Sequence, residues 1–284
     1  MKRIHSLLIG LTLGALGALV LAPAAANAGG VLDRIMSKGV LVVASDANYP
    51  PQSFLNKNNE LEGFDIDVAK EVAKRLGVKA KFVTPDWEII VAGNWGKRWD
   101  ISIGSMTPTK QRARVLDFPG IYYFTPAVFA VHKDNTTIKS LADLNGKTIG
   151  VCGGCTYEWY LKKNLVIDAE GAPPFKYLVT AGTIRSYPDD SAPFQDLKLG
   201  DGVRLDAVMS ALPNIKAAIK NGYPMKIIGK PAFYEPLSVA INKGDSEFGA
   251  KLSKIIDAMH ADGTLTKMSM KWYDADLTVA APAS

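Results

Sequence analysis

Two cysteines and three histidines among 284 residues leave little material for a metal centre. His5, His132 and His260 lie far apart, and no spaced set of His, Cys, Asp and Glu follows a ligand pattern. Neither a metal nor a cofactor is expected. There is no Gly-x-Ser-x-Gly elbow and no phosphate-binding glycine loop, which removes the usual signals of a serine hydrolase or a nucleotide-dependent enzyme. Runs of lysine and arginine are also missing. The net charge of +5 is scattered, so nucleic acid is not expected as a partner. After the first 28 residues no apolar stretch approaches bilayer length, and that part of the chain reads as soluble.

The N-terminus carries a clear pattern of its own. Lys2 and Arg3 precede an apolar stretch from Leu7 to Leu21, and Ala26-Asn27-Ala28 supplies the small-x-small signature of a signal-peptidase site. Residues 1–28 are expected to be a cleaved signal peptide, with the exported chain beginning near Gly29; an uncleaved membrane anchor is the alternative. No cysteine follows the cut site, so a lipid anchor is not expected.

Beyond it, short apolar strands alternate with amphipathic helices, the pattern of an α/β protein with largely parallel sheets. Val40 to Ala44 predicts a strand. Phe64, Val68, Val72 and Leu76 recur every fourth residue, with Ala69 and Ala73 alongside, which predicts a helix over 64–76 closed by Gly77. Strands are predicted at 81–84 and 100–105; between them Gly93 and Gly96 interrupt any helix. The apolar segment 122–131 leads out of this first unit, and a second strand-helix rhythm begins. It contains a turn at Asn145-Gly146, a strand at 148–151, a helix at 156–163, a strand at 207–209 and a helix from Pro213 to Lys220. Residues 169–193 are rich in Gly, Pro, Asp and Ser and read as loop with one strand near Tyr177. Leu252, Ile255, Ile256 and Met259 form a helical stripe ending at Asp262-Gly263, and the last helices are expected to pack with the first unit.

Several segments, in order along the chain, resemble those of the polar-amino-acid family of bacterial extracellular solute-binding proteins, the receptors of ABC importers. They are Gly63-Phe64-Asp65-Ile66-Asp67-Val68-Ala69, Gly104 to Arg112 with Asp117-Phe118, and Asp143-Leu144-Asn145-Gly146-Lys147-Thr148-Ile149-Gly150-Val151. Leu205-Asp206-Ala207-Val208, Asp262-Gly263-Thr264-Leu265 and Lys271-Trp272-Tyr273 complete the set. The resemblance implies an α/β, two-lobed periplasmic-binding-protein fold of type II character, with two crossing hinge strands and the ligand in the interlobe cleft. Lobe 1 is then expected over 31–129 and 233–276, lobe 2 over 130–232, and a flexible tail over 277–284. It also implies a monomeric periplasmic receptor that captures a small amino acid or related carboxylate and hands it to an inner-membrane ABC permease.

The resemblance places Arg112 on the ligand carboxylate, where a guanidinium fork makes two charge-assisted hydrogen bonds. Taken alone, Arg112 flanked by Lys110 and Arg114 reads first as an ordinary surface arginine, and it is the resemblance that reverses that reading. Gly104, Ser105 and Thr107 precede it at a strand end and add backbone or hydroxyl donors. Across the cleft, Gly153-Gly154-Cys155-Thr156 leads from a strand into a helix, whose exposed amides bind anions. Relatives carry Gly-Thr where this chain has Gly154-Cys155, which keeps the backbone role and removes the hydroxyl. Asp46, Tyr49 and Trp87 are candidates for the side-chain pocket, two aromatic faces and an opposite charge; core packing for Trp87 and a turn for Asp46 are the alternatives. Relatives place an aspartate for the ligand ammonium where this chain has Ala211. Asp190, Glu235 and Glu158 are the acids that stand in for it, or else the ligand lacks an α-ammonium.

Cys152 and Cys155 form one Cys-Gly-Gly-Cys segment. In an oxidising compartment they are expected to be a disulfide that pins the ligand loop, with a redox-active pair as the other reading. Nothing in the sequence marks a catalytic acid or base, so a receptor without chemistry is expected rather than an enzyme. A dehydratase-like enzyme on the same fold is the alternative, and a sensory receptor is a third.

Overall fold

A computed structural model describes residues 30–169 and 172–279. The expected signal peptide over 1–28 and residues 280–284 lie outside the described residues. The first unit runs α1 (Val31–Lys38), β1 (Val40–Ala44), β2 (Asn48–Tyr49), β3 (Ser53–Leu55), β4 (Leu61–Glu62), α2 (Phe64–Leu76), β5 (Lys79–Val83), α3 (Trp87–Val91) and β6 (Ile101–Met106). A long strand, β7 (Leu116–His132), leads to β8 (Thr148–Cys152), α4 (Thr156–Leu161), β9 (Thr183–Tyr187), α5 (Ala192–Leu197), β10 (Ala207–Ala211) and α6 (Leu212–Lys220). A second long strand, β11 (Met225–Asn242), returns the chain to α7 (Ser246–Ala261) and α8 (Thr264–Tyr273).

One eight-stranded sheet in the order β5-β1-β6-β11-β7-β10-β8-β9 spans the molecule, and β2-β3-β4 form a small antiparallel sheet beside it. The outer strands pair in parallel, as their helical crossovers require, while β7 and β11 run antiparallel through the centre. Each half packs helices on both faces. In the first, Leu41 and Val43 face Phe64, Val68, Val72 and Leu252, while Ala44 turns to Ile90, Trp95 and Trp99 on the opposite face. Trp95 and Trp99 are therefore core residues. In the second, Ile149, Val151 and Met209 pack under Tyr160, and Val208 under Phe194 and Ile215.

Acids of the shared segments tie distant elements together. Asp67 on α2 accepts from Lys271 Nζ (2.7 Å) and Trp272 Nε1 (2.8 Å) on α8. Asp206 accepts from the Thr148 amide at the start of β8 (2.8 Å). Asp143 closes a capping box with Ser140 before the Asn145-Gly146 turn.

The structure departs from the expected pattern in five places. Near Tyr177 there is no strand; the strand of that region is β9, paired with β8. Tyr177 instead packs its ring against Tyr160 and donates to the Leu165 carbonyl (2.9 Å), a tertiary contact that apolar periodicity does not report. A short helix, α3, precedes the interrupting glycines, and α5 carries Pro193 in its first turn. On β7, Ala127 to Ala130 already pair with β10, so the change from first-half to second-half partners comes a few residues before the expected join at 129/130. Leu277 and Thr278 are not a loose tail: Leu277 packs on the first core, its carbonyl accepts from the Phe124 amide (2.7 Å), and Thr278 is buried. No helix among the described residues is long and apolar enough to cross a membrane.

Candidate functional site

The crevice between the halves opens at the carboxyl ends of β1, β6, β8 and β10, where loops converge in an α/β sheet. One cavity there is lined by Asp46, Tyr49, Trp87, Gly104, Ser105, Thr107 and Arg112 from the first half, by Cys155, Thr156, Tyr157 and Asp190 from the second, and by Glu235 on the returning strand. With the exception of Glu158 and of Gly153-Gly154, every residue expected to face the ligand lies on this wall. Tyr157 carries no sequence signal beyond directly following the Cys155-Thr156 pair, and its hydroxyl lies 3.4 Å from that of Tyr49 across the crevice.

Arg112 is 3% exposed and points into the crevice. Its Nη1 donates to the Thr107 carbonyl (3.0 Å) and its Nη2 crosses to the Gly154 carbonyl (3.0 Å). The guanidinium carbon sits 5.2 Å from the Trp87 ring and 4.9 Å from the Trp159 ring, a clamp of two aromatic faces on one cation. Trp87 thus faces the arginine as well as the cavity, and Trp159, absent from the expected site, supplies the second face. Burial lowers the Arg112 pKa to about 10, with Glu235 opposing, so the side chain stays charged at neutral pH. Its Nε is buried without a partner.

Glu235 is also 3% exposed and sits on β11 opposite Thr125, where the chain crosses between halves. Its Oε1 accepts from Thr107 Oγ1 (3.0 Å) and from Thr156 Oγ1, one hydroxyl from each half, while Oε2 is buried without a partner. Burial raises its pKa; Thr156, Tyr157, Thr107 and Arg112 pull the other way. Asp190 is buried beside the end of β10, its Oδ1 accepting from Ser210 Oγ (2.9 Å), next to Ala211. Burial pushes its pKa well up, Ser210 opposes, and Asp46 and Glu235 add to the rise. Asp46 accepts from the Asn48 amide (2.7 Å), the turn expected as its alternative, yet it still lines the cavity; burial raises its pKa too.

Ser105 sits at φ 55°, a left-handed position for a residue with a Cβ. It is held there from below. Its amide donates to Tyr122 Oη (2.8 Å), its hydroxyl donates to Asp65 (2.7 Å), and Tyr122 donates to the same carboxylate (2.7 Å). Burial raises Asp65 to about 7, against the pull of Ser105 and Tyr122.

Two expectations change. Glu158 does not reach the cavity: it accepts from Lys162 (2.7 Å), Ser186 (2.6 Å) and the Gly154 amide (2.8 Å), so it braces the loop instead of facing a ligand. The same bond, with Gly153 donating to the Tyr187 carbonyl (2.8 Å), occupies two amides that the strand-to-helix turn was expected to offer an anion. Cys152 and Cys155 form a disulfide joining the end of β8 to the residue that caps α4.

The halves touch directly around the cavity. Ser191 Oγ donates to the Asn48 carbonyl (2.8 Å), Asn214 Nδ2 to the Pro50 carbonyl (2.8 Å), and Thr109 bridges to Ile167.

The model of the bacterial extracellular solute-binding proteins, family 3, matches residues 41–275. This chain belongs to that family. Among relatives, it is 32% identical to the L-cystine-binding protein of Escherichia coli (strain K12) over 88% of this chain and 88% of that one. Among solved structures, it is similar to an ancestral arginine-binding protein bound to arginine, with 36% identity and a TM-score of 0.71, covering 83% of this chain and 98% of the other. It is likewise similar to an ancestral amino acid-binding protein described as a precursor of cyclohexadienyl dehydratase, with 34% identity, a TM-score of 0.73, and 85% and 99% covered. The two-lobed fold expected from the sequence is thus the fold of this solute-binding protein.

Proposed function

We propose that this solute-binding protein captures a small α-amino acid in the periplasm and delivers it to an inner-membrane ABC importer. The observation that carries the reading is the buried meeting of Arg112 with Asp190 and Glu235 in the crevice between the halves. A guanidinium and facing carboxylates, desolvated together, match the two ends of a zwitterion, and each charge needs a partner when buried. Arg112 takes the carboxylate. Asp190, beside Ser210-Ala211, takes the ammonium in place of the acid that relatives carry at the Ala211 position. Three acids against one arginine favour ligands that bring positive charge, and Tyr49 and Trp87 add apolar faces. The names of its relatives point to L-cystine and L-arginine as the first solutes to test. The signal sequence and the extracellular family support the periplasm.

Calorimetric titration of the purified protein with a panel of amino acids tests this. At least one L-amino acid should bind. Arg112→Ala should weaken it by about a hundredfold or more, because truncating one partner of a buried charge pair costs 2–5 kcal/mol or so, while the exposed Arg114→Ala keeps the parent affinity. Binding by no amino acid, or equal affinity in Arg112→Ala, defeats the reading. Product formation from prephenate-like acids would instead support the dehydratase reading that the dehydratase precursor suggests.

A further inference from the structure

The Cys152–Cys155 disulfide borders the cavity through Cys155. Cys155 lines the same cavity as Arg112 and Asp190, whereas Cys152 lies behind it, and both are buried from bulk solvent. Cys155 Sγ is 4.0 Å from Asp190 Oδ2, and both sulfurs and a carboxylate oxygen of Asp190 lie within 4.8 Å of one another. A brace does not account for this placement. The bridge closes a ring with only two residues inside it, where restricting the unfolded chain stabilises least. The loop it spans is already held by Gly153 to Tyr187, Gly154 to Glu158 and Arg112 to Gly154.

We propose that this pocket carries out thiol–disulfide exchange with a sulfur-bearing amino acid bound through Arg112, with Cys155 as the exchanging sulfur. The proposal rests on the amino-acid reading above. In the oxidised protein, the thiol of a bound cysteine-like ligand attacks Cys155 Sγ. A ligand–Cys155 disulfide forms, the Cys152–Cys155 bond breaks, and the electron pair leaves on Cys152. The Asp190 carboxylate takes the thiol proton and returns it to the Cys152 sulfur. A second ligand thiol then attacks the ligand sulfur of the mixed disulfide, releasing the ligand disulfide and leaving Cys155 as a thiol. Two thiols lose two electrons and the protein disulfide gains them, so each molecule reacts once, with no outside oxidant. In the reduced protein the same steps run backwards on a ligand disulfide such as cystine. Burial supplies the selectivity, since a thiol reaches Cys155 only through the cavity, and Asp190 Oδ2, 4.0 Å from Cys155 Sγ, stands where it can pass a proton to the exchanging sulfurs once an ammonium at the site has ionised it.

The full-length chain with Cys152→Ser leaves Cys155 as one thiol that cannot re-close, and L- and D-cystine serve as probes because their intrinsic reactivities are identical. Mixing with L-cystine, then acid quenching and peptide mass mapping, should show cysteine on Cys155 and one L-cysteine released per chain. The reaction should be at least about tenfold faster than with D-cystine, the rate equivalent of 1.4 kcal/mol of chiral recognition. Adding Arg112→Ala should erase that preference. Equal rates for the two enantiomers overturn the proposal. If the variant does not fold, the oxidised wild-type protein decides the matter: treated with L- or D-cysteine and then alkylated, it should expose Cys152 faster with the L form, and equal exposure overturns the proposal. Calorimetry with sulfur-free amino acids on the same protein separates the two ideas. Their binding alongside equal exchange rates sinks the exchange alone, whereas no binding and equal rates sink both.

Discussion

Asp190 and Asp65 are both buried carboxylates with raised pKa values, and they make opposite demands on pH. At Asp190 an ammonium would sit against the carboxylate and favour its charged form. Binding then releases a proton, so affinity should rise with pH and level off only once Asp190 is ionised in the free protein. Asp190→Asn should bind more weakly at neutral pH and lose this slope; a parent slope retained in the variant would place the ammonium elsewhere. Asp65 lies outside the cavity and acts through Ser105, so it is a positioning residue. Its folded pKa of about 7 exceeds the usual 3.8, so its contribution to stability is fully present below about pH 4 and is lost as pH rises through 7. Over that window Asp65→Asn should gain stability on the parent, on the order of 4 kcal/mol at most. Denaturant titrations across pH read the difference, and parallel curves would show that the carboxyl does not titrate there.

At the level of elements, the start of α2 is the least forgiving point. Gly63 has φ 132°, and a Cβ there would meet the Gln52 carbonyl oxygen at 2.2 Å and its carbon at 2.6 Å. The close approach lets Phe64 and Asp65 donate their amides to the Pro51 and Gln52 carbonyls, which seats α2 beneath the site. Gly63→Ala is expected to cost about 3 kcal/mol or more, combining overpacking with backbone strain. Equilibrium unfolding measures it, and a loss under about 1 kcal/mol would mean the β2-β3 loop moves aside. The contrast is Gly77, which ends α2 at φ 78° with open space where a Cβ would point; there only conformational preference is at stake.

Across the whole molecule, two strands carry the chain between the halves, and the contacts around the cavity exist only when the halves meet. Arg112 and Glu235 are too deeply buried for a solute to reach them without parting the halves, a hinge motion about the β7 and β11 crossings. Contacts made only on closure add to solute affinity and not to the stability of either half. Ser191→Ala, which removes the bond to the Asn48 carbonyl, should weaken solute binding about threefold to tenfold, as expected for one neutral hydrogen bond, and leave the ligand-free melting temperature unchanged. A fall in that melting temperature with unchanged affinity would place Ser191 in the folding of the second half instead.

Much of this was legible without coordinates. The helix of α2 and the strand of β1 were readable to the residue, because α2 buries one regular face and β1 is a short continuous apolar run covered on both faces, and the apolar pattern records each directly. The cavity wall was readable because its residues cluster in short segments at strand ends, where a strand-helix alternation must place loops. The segment 169–193 was not readable, since β9 is held by pairing with β8 and shows no burial pattern of its own, and Tyr177 packs sideways on Tyr160. Nor could spacing along the chain tell which acid, Asp190 or Glu158, faces the cavity: only the turn of α4 aims Glu158 at Lys162 and Ser186. The sequence by itself determined the alternation, the two units and the side chains available to grip a charged solute. The tertiary structure decided which of those charges meet, because burial between two halves that approach from opposite directions is a property of their closure and has no counterpart in local order.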